Sequence, residues 1–166
     1  PAGDVNGDGI DDMIIGAPDA DHLSRDLSGA AYVVFGSATP TATIDLGALG
    51  ARGFVIGGSA AGDRAGTSVA AAGDLNSDGF DDVVVGAPDA AFNLRDQSGS
   101  VYAVCGGPSP SDLDLATLGS RGARIDGAAA GDRLGVARAM DVCGPAAVAQ
   151  IAAVPLLRER FNGEIS

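Results

Sequence analysis

The chain repeats itself. Residues 3–19 and 73–89 align without a gap and agree at 11 of 17 positions. Residues 44–66 and 113–135 agree at 14 of 23, sharing Leu49-Gly50, Arg52-Gly53 and Gly62-Asp63-Arg64 with Leu118-Gly119, Arg121-Gly122 and Gly131-Asp132-Arg133. The period is therefore 69–70 residues, and each period must fold as one supersecondary unit that buries its apolar face against its neighbours. Within the complete unit, short β-branched or apolar runs bounded by turn residues predict four strands, at 67–72, 82–87, 100–105 and 123–127. The first unit lacks its opening strand and supplies 12–17, 30–35 and 54–57. Residues 113–118 read as a helical turn or irregular loop.

Four strands per unit at so long a period fit a propeller blade better than a solenoid coil. The expected fold is all-β: a partial β-propeller of four-stranded antiparallel blades. Residues 1–61 form a partial blade, 62–131 a complete one, and 132–166 the start of a third. In that third unit the pattern fails. After Gly131–Gly135 the chain continues Val136-Ala137-Arg138-Ala139, with no acidic loop, and a helix over 146–160 interrupted at Pro155 is expected. A divergent end, a truncation and a change of reading frame all fit this tail. Hydrophobic residues make up 46% of the chain, but there are 26 glycines and no tryptophan, so the core is built of small aliphatic side chains and tight turns.

Each unit opens with the same acidic loop: Asp4-Val5-Asn6-Gly7-Asp8-Gly9-Ile10-Asp11-Asp12 and Asp74-Leu75-Asn76-Ser77-Asp78-Gly79-Phe80-Asp81-Asp82. Oxygen-bearing side chains at positions 1, 3, 5 and 9 alternate so that all can face one point, and glycine at position 6 admits the sharp turn. Asp4, Asn6, Asp8, the Ile10 carbonyl and Asp12 make one ligand set. Asp74, Asn76, Asp78, the Phe80 carbonyl and Asp82 make the other. All donors are oxygens, which suits Ca²⁺, a hard ion taking six to eight oxygen ligands at ~2.3–2.6 Å. Mg²⁺ demands a stricter octahedron, and Zn²⁺ has no His or Cys here to bind. An EF-hand is excluded because its twelfth position needs Glu, whereas Ile15 and Val85 stand there and a strand follows at once. Asp11 and Asp81 point away and are expected to hold the loop by hydrogen bonds. The competing reading is that Asp, Asn and Gly simply favour turns; two copies with the same ligand types argue for the two-site Ca²⁺ reading.

The net charge of −12, with eight of the 22 acids in these loops, argues against nucleic acid, whose binding rests on cations meeting phosphates. No apolar run approaches the ~18 residues of a membrane span, so no membrane insertion is expected. His22 is the only histidine and its equivalent is Phe92, which leaves it a solvent-exposed loop residue without a repeat-wide catalytic role. Arg25-Asp26, Arg95-Asp96, Asp63-Arg64 and Asp132-Arg133 read as ion pairs or loop braces. Cys105 and Cys143 read as small apolar residues with one optional disulfide.

With Gly16-Ala17-Pro18 and Gly86-Ala87-Pro88 following the two loops, the chain resembles FG-GAP repeats, the blades of the integrin α-subunit propeller and its bacterial relatives. The Phe-Gly element is altered to Ala65-Gly66 and Leu134-Gly135. The resemblance covers about residues 3–135. It implies a seven-bladed ring with Ca²⁺ on one face, an extracellular or cell-surface location, and a non-catalytic role in adhesion or protein recognition with a protein or glycan ligand. It also implies that remaining blades or partner chains complete the ring. The alternative is an accessory propeller of a secreted enzyme such as a phospholipase or hydrolase.

Overall fold

The computed structural model describes residues 1–39 and 43–136. The expected helix at 146–160 and most of the third unit lie outside these. The strands are β1 (Met13–Ala17), β2 (Ala30–Val34), β3 (Gly53–Gly57), β4 (Ser68–Gly73), β5 (Asp82–Ala87), β6 (Ser100–Val104), β7 (Leu113–Asp114) and β8 (Gly122–Asp126). Each strand expected from the repeat appears within a residue of its place, because each is a short β-branched or small apolar run fenced by turn-forming residues. Among the described residues the only helices are three-residue 3₁₀ turns.

The strands form two four-stranded sheets, ordered β1-β2-β3-β7 and β4-β5-β6-β8. The second is an antiparallel meander, the pattern of a complete propeller blade. Its register slips between Ala71 and Gly73, a bulge at the mouth of the second acidic loop. The first sheet departs from the expected all-antiparallel pattern. What remains of its opening strand is a bridge between Gly3 and Asp12. Its fourth strand comes from the second unit: β7 runs parallel to β3, pairing Ile56 with Leu113 and Gly57 with Asp114. So Leu113–Asp114 is a strand, and only Leu115–Thr117 and Gly119–Arg121 are helical turns.

The two sheets pack face to face. Ala31, Val33, Phe54 and Ile56 of the first join Val83, Val85, Tyr102 and Val104 of the second in one buried cluster, capped by Leu113 and Leu115. The alternation along β2, β3 and β6 puts these residues on facing surfaces. A polar joint borders the cluster. Arg25 donates through both terminal nitrogens to Asp114, each bond 2.7 Å, and to the Gly58 carbonyl at 2.7 Å. This bidentate pair holds the Asp114 carboxyl below its usual range. Beside it, Asp112 accepts from the Val55 N–H at 3.0 Å, which satisfies a donor on the β3 edge.

Asp63 lies nearby, only 5% exposed, accepting from the Ala60 N–H at 3.0 Å. Desolvation pushes its carboxyl up to about 6, against the pull of that hydrogen bond and of Arg124 and Arg25. The folded state therefore holds the proton more tightly than the unfolded chain. The resulting stability is full below the ordinary carboxylate pKa and is lost as pH rises through about 6. Asp63→Asn keeps an oxygen for Ala60 and removes the buried charge. In urea titrations the variant should exceed the parent by roughly 1–3 kcal/mol at neutral pH and match it near pH 4. A variant weaker than the parent at neutral pH would mean that the charge is well paired.

Candidate metal-binding loops

Both acidic loops sit just before the second strand of their unit and are shaped by their own carboxylates. In the first, Asp4 Oδ1 accepts from the Gly7 and Asp8 N–H groups at 2.8 and 3.0 Å, and Oδ2 from Gly9 at 2.8 Å. Asn6 Oδ1 accepts from the Asp8 N–H, and Asp8 Oδ1 from the Ile10 N–H, both at 2.9 Å. In the second loop Asp74 accepts from Asp78 and Gly79, Asn76 from Asp78, and Asp78 from Phe80, at 2.9–3.0 Å. Gly9 and Gly79 stand at φ +85° and +91°, as the turn requires. Ser77 takes the left-handed conformation that Gly7 holds in the first copy.

Asp12 and Asp82 are buried, unlike the other side-chain ligands of their sets. Asp12 accepts from the Val5 N–H at 2.9 Å and the Gly36 N–H at 2.8 Å; Asp82 accepts from Leu75 at 2.8 Å and Gly106 at 2.9 Å. Each carboxylate thus ties the start of its loop to the end of the third strand of its blade. Desolvation is the main cause that raises both, Asp82 to about 6, and the negative neighbours at loop positions 1 and 5 add to it. This bracing role was not foreseen, because it depends on Gly36 and Gly106, 24 residues further along the chain.

The loops also touch each other. Asp81 accepts from the Asp4 N–H at 2.8 Å and donates its own N–H to the Asp4 carbonyl at 3.0 Å. The Phe80 ring lies against Gly7. Asp81 was expected to steady its own loop; it steadies the loop of the preceding unit instead.

The donor chemistry fits a hard cation. An oxygen that accepts one N–H still carries a second lone pair, so Asp8, Asn6, Asp12 and Asp4 Oδ2 each retain capacity, as do their equivalents. The side chains are not gathered: among the described residues no three His, Cys, Asp or Glu groups converge into a finished cage.

Other sequence candidates fall into structural roles. His22 is half-buried against Gly57, not exposed. Arg64 pairs with Asp19 at 3.2 Å and Arg133 with Asp89 at 2.6 Å, so these arginines brace loops through distant acids and not through their sequence neighbours. Cys105 is free, and burial, with Asp82 and Asp78 adding to it, pushes its thiol up to about 12, which makes it an inert small residue. Cys143 lies outside the described residues. No helix among the described residues is long and apolar enough to cross a membrane.

Residues 1–34 and 65–104 match the FG-GAP repeat family. Over 103 residues the chain is 36% identical to phosphatidylinositol-glycan-specific phospholipase D of Mus musculus, covering 62% of this chain and 12% of that protein. Over 115 residues it is 36% identical to integrin alpha-5 of Xenopus laevis, covering 67% of this chain and 10% of that protein. Integrin alpha pat-2 of Caenorhabditis elegans is 39% identical over 115 residues, covering 62% of this chain and 8% of that protein. The chain spans about a tenth of the length of these relatives.

Proposed function

The chain is built of FG-GAP repeats, and on that premise we propose that it is a Ca²⁺-stabilised propeller segment serving extracellular or cell-surface adhesion or protein recognition, without catalysis of its own. The observation that carries the reading is the twofold recurrence of one all-oxygen donor set, each time at the entrance to a sheet and each time closed by a buried aspartate crowded by negative neighbours. A bound divalent cation would neutralise that local repulsion. Asp4, Asn6, Asp8, Asp12 and the Ile10 carbonyl would hold one ion; Asp74, Asn76, Asp78, Asp82 and the Phe80 carbonyl would hold the other. Binding draws the exposed side chains of each loop together and adds its free energy to that of folding. The long loops between the second and third strands, 18–29 and 88–99, offer the surface for a protein or glycan ligand.

Isothermal titration of chelator-stripped protein with CaCl₂ tests the metal assignment. Two sites are expected, with Asp8→Ala and Asp78→Ala each abolishing one. At a free Ca²⁺ level of 100 times Kd, each occupied site should stabilise the fold by about 2.7 kcal/mol. No heat of binding at millimolar Ca²⁺ would end this part of the reading.

The similarity to a phospholipase D favours a second reading, an accessory propeller in a secreted enzyme. Sequencing the complete gene separates the two: a catalytic domain beside the repeats selects the second.

A further inference from the structure

The two acidic loops carry the same donors but differ at one step of the backbone. Asn6 is followed by Gly7, Asn76 by Ser77. Both successors hold a left-handed φ, +77° and +62°. Asparagine is among the chemically labile side chains, and the residue after it governs that lability. The backbone nitrogen of that residue is the nucleophile that closes a five-membered ring on the side-chain amide carbon. A Cβ beside it crowds the approach, and glycine has none.

The first loop also holds the reacting groups in hydrogen-bonded contact. Asn6 Oδ1 accepts from the Asp8 N–H at 2.9 Å, which polarises the amide carbonyl and meets the charge that would grow on that oxygen. The Asn6 amide nitrogen donates to Asp8 Oδ2 at 3.1 Å. The Gly7 N–H donates to Asp4 Oδ1 at 2.8 Å, so the proton that this nitrogen must shed already faces a carboxylate. Gly7 stays exposed even with the Phe80 ring of the neighbouring loop against it, so water reaches this point with the next unit in place.

We infer that Asn6 is a site of spontaneous self-modification, losing its amide through a cyclic imide formed with the Gly7 nitrogen, while Asn76 is spared. The Gly7 nitrogen attacks Asn6 Cγ and a C–N bond forms. The proton of that nitrogen passes, by way of Asp4 or water, to the departing amide nitrogen, which leaves as ammonia when its bond to Cγ breaks. Water then adds to either imide carbonyl and opens the ring. Opening on one side yields aspartate; opening on the other yields isoaspartate, with the backbone running through Cγ. No oxidant or reductant is consumed. Aspartate adds a further carboxylate to Asp4, Asp8 and Asp12 of the first donor set. Isoaspartate lengthens the loop backbone by a carbon and puts its alternation out of step. Either product makes the two loops unequal as the protein ages.

The full chain, held in chelator at neutral pH and body temperature, is sampled over weeks, digested and mapped by mass against a zero-time sample. Asn6 should convert roughly tenfold faster than Asn76, or more, with isoaspartate among its products, detected by isoaspartyl methyltransferase labelling. Gly7→Ala is a poor control, because its Cβ would strike the Phe80 ring. Ser77→Gly is the better one: it relieves a side chain at φ +62° and should bring Asn76 up to the rate of Asn6. Four results each overturn the inference: Asn6 intact throughout, equal rates at Asn6 and Asn76 in the parent, aspartate as the sole product, or a slow Asn76 in Ser77→Gly. None of them depends on a bound ion. A parallel sample in Ca²⁺ separates the inference from the metal reading. Conversion in chelator that Ca²⁺ leaves unchanged supports the inference and counts against the metal; conversion that Ca²⁺ slows supports both. An intact Asn6 beside a clear CaCl₂ titration overturns the inference alone.

Discussion

Gly29→Ala should remove a large part of the stability of this chain, roughly 2–5 kcal/mol, although it adds a single methyl group. Two effects add. Gly29 sits at φ +76°, where an L side chain costs about 1–2 kcal/mol. A Cβ there would also collide with the Ala65 backbone O and N and stand 2.8 Å from the Arg64 carbonyl carbon. Those are main-chain atoms, and they cannot retreat as a flexible side chain could. Gly29 is fixed on its own side too: its N–H donates to Ala20 and its carbonyl accepts from Gly58. Overpacking a rigid site typically costs a further 1–3 kcal/mol, against a total of about 5–15 for a domain. Gly62→Ala is the control. It has a similar φ of +82° with nothing within 4 Å, so it should lose only about 1–2 kcal/mol. Urea titrations of the two variants measure the difference, which isolates the close approach between units. Equal losses would show that the strand bridge between Gly29 and Ala65 yields. Gly99→Ala repeats the experiment one unit on, where Leu134 takes the place of Ala65.

The second large effect separates bracing from ligation. Asp82→Ala should cost roughly 2–4 kcal/mol even in chelator, because the half-buried Leu75 and Gly106 N–H groups both lose their acceptor and an orphaned donor costs about 1–3 kcal/mol. Relief of the buried charge offsets part of this. Asparagine is a poor substitute: both carboxylate oxygens accept, so its amide nitrogen would face one of the two donors. Asp78→Ala, on the exposed rim of the same loop, should cost well under half as much in chelator and should reveal its effect only when Ca²⁺ is added. Thermal denaturation of both variants in both buffers gives the comparison. If Asp82→Ala is no worse than Asp78→Ala without metal, the two hydrogen bonds do not hold the loop to the sheet.

Positions that only glycine or only a small set of turn residues can occupy were legible from the chain alone. Val83-Val84-Val85 between Asp82 and Gly86 could hardly be anything but a short strand, and Gly9 and Gly79 announced their left-handed turns. The donor set of each loop was equally plain, since alternation along nine residues is a local property. What could not be read was every contact that crosses from one unit to the next. Leu113-Asp114 is too short to announce a strand, and its partner Ile56-Gly57 is 57 residues away. Arg25 has Asp26 beside it, yet its carboxylate is Asp114, 89 residues distant. Asp81 likewise serves the loop of the other unit.

The sequence by itself determined the repeat, the four-strand unit, the acidic loops and the resemblance to FG-GAP repeats, because strand propensity, turn geometry and ligand spacing are set by neighbours within a few bonds. Only the tertiary structure decided that β7 completes the first sheet, that Asp12 and Asp82 brace the blade, and that Arg25 closes on Asp114. Those facts depend on which sheet edge and which backbone donors are brought within about 3 Å of a side chain, and packing alone sets that distance.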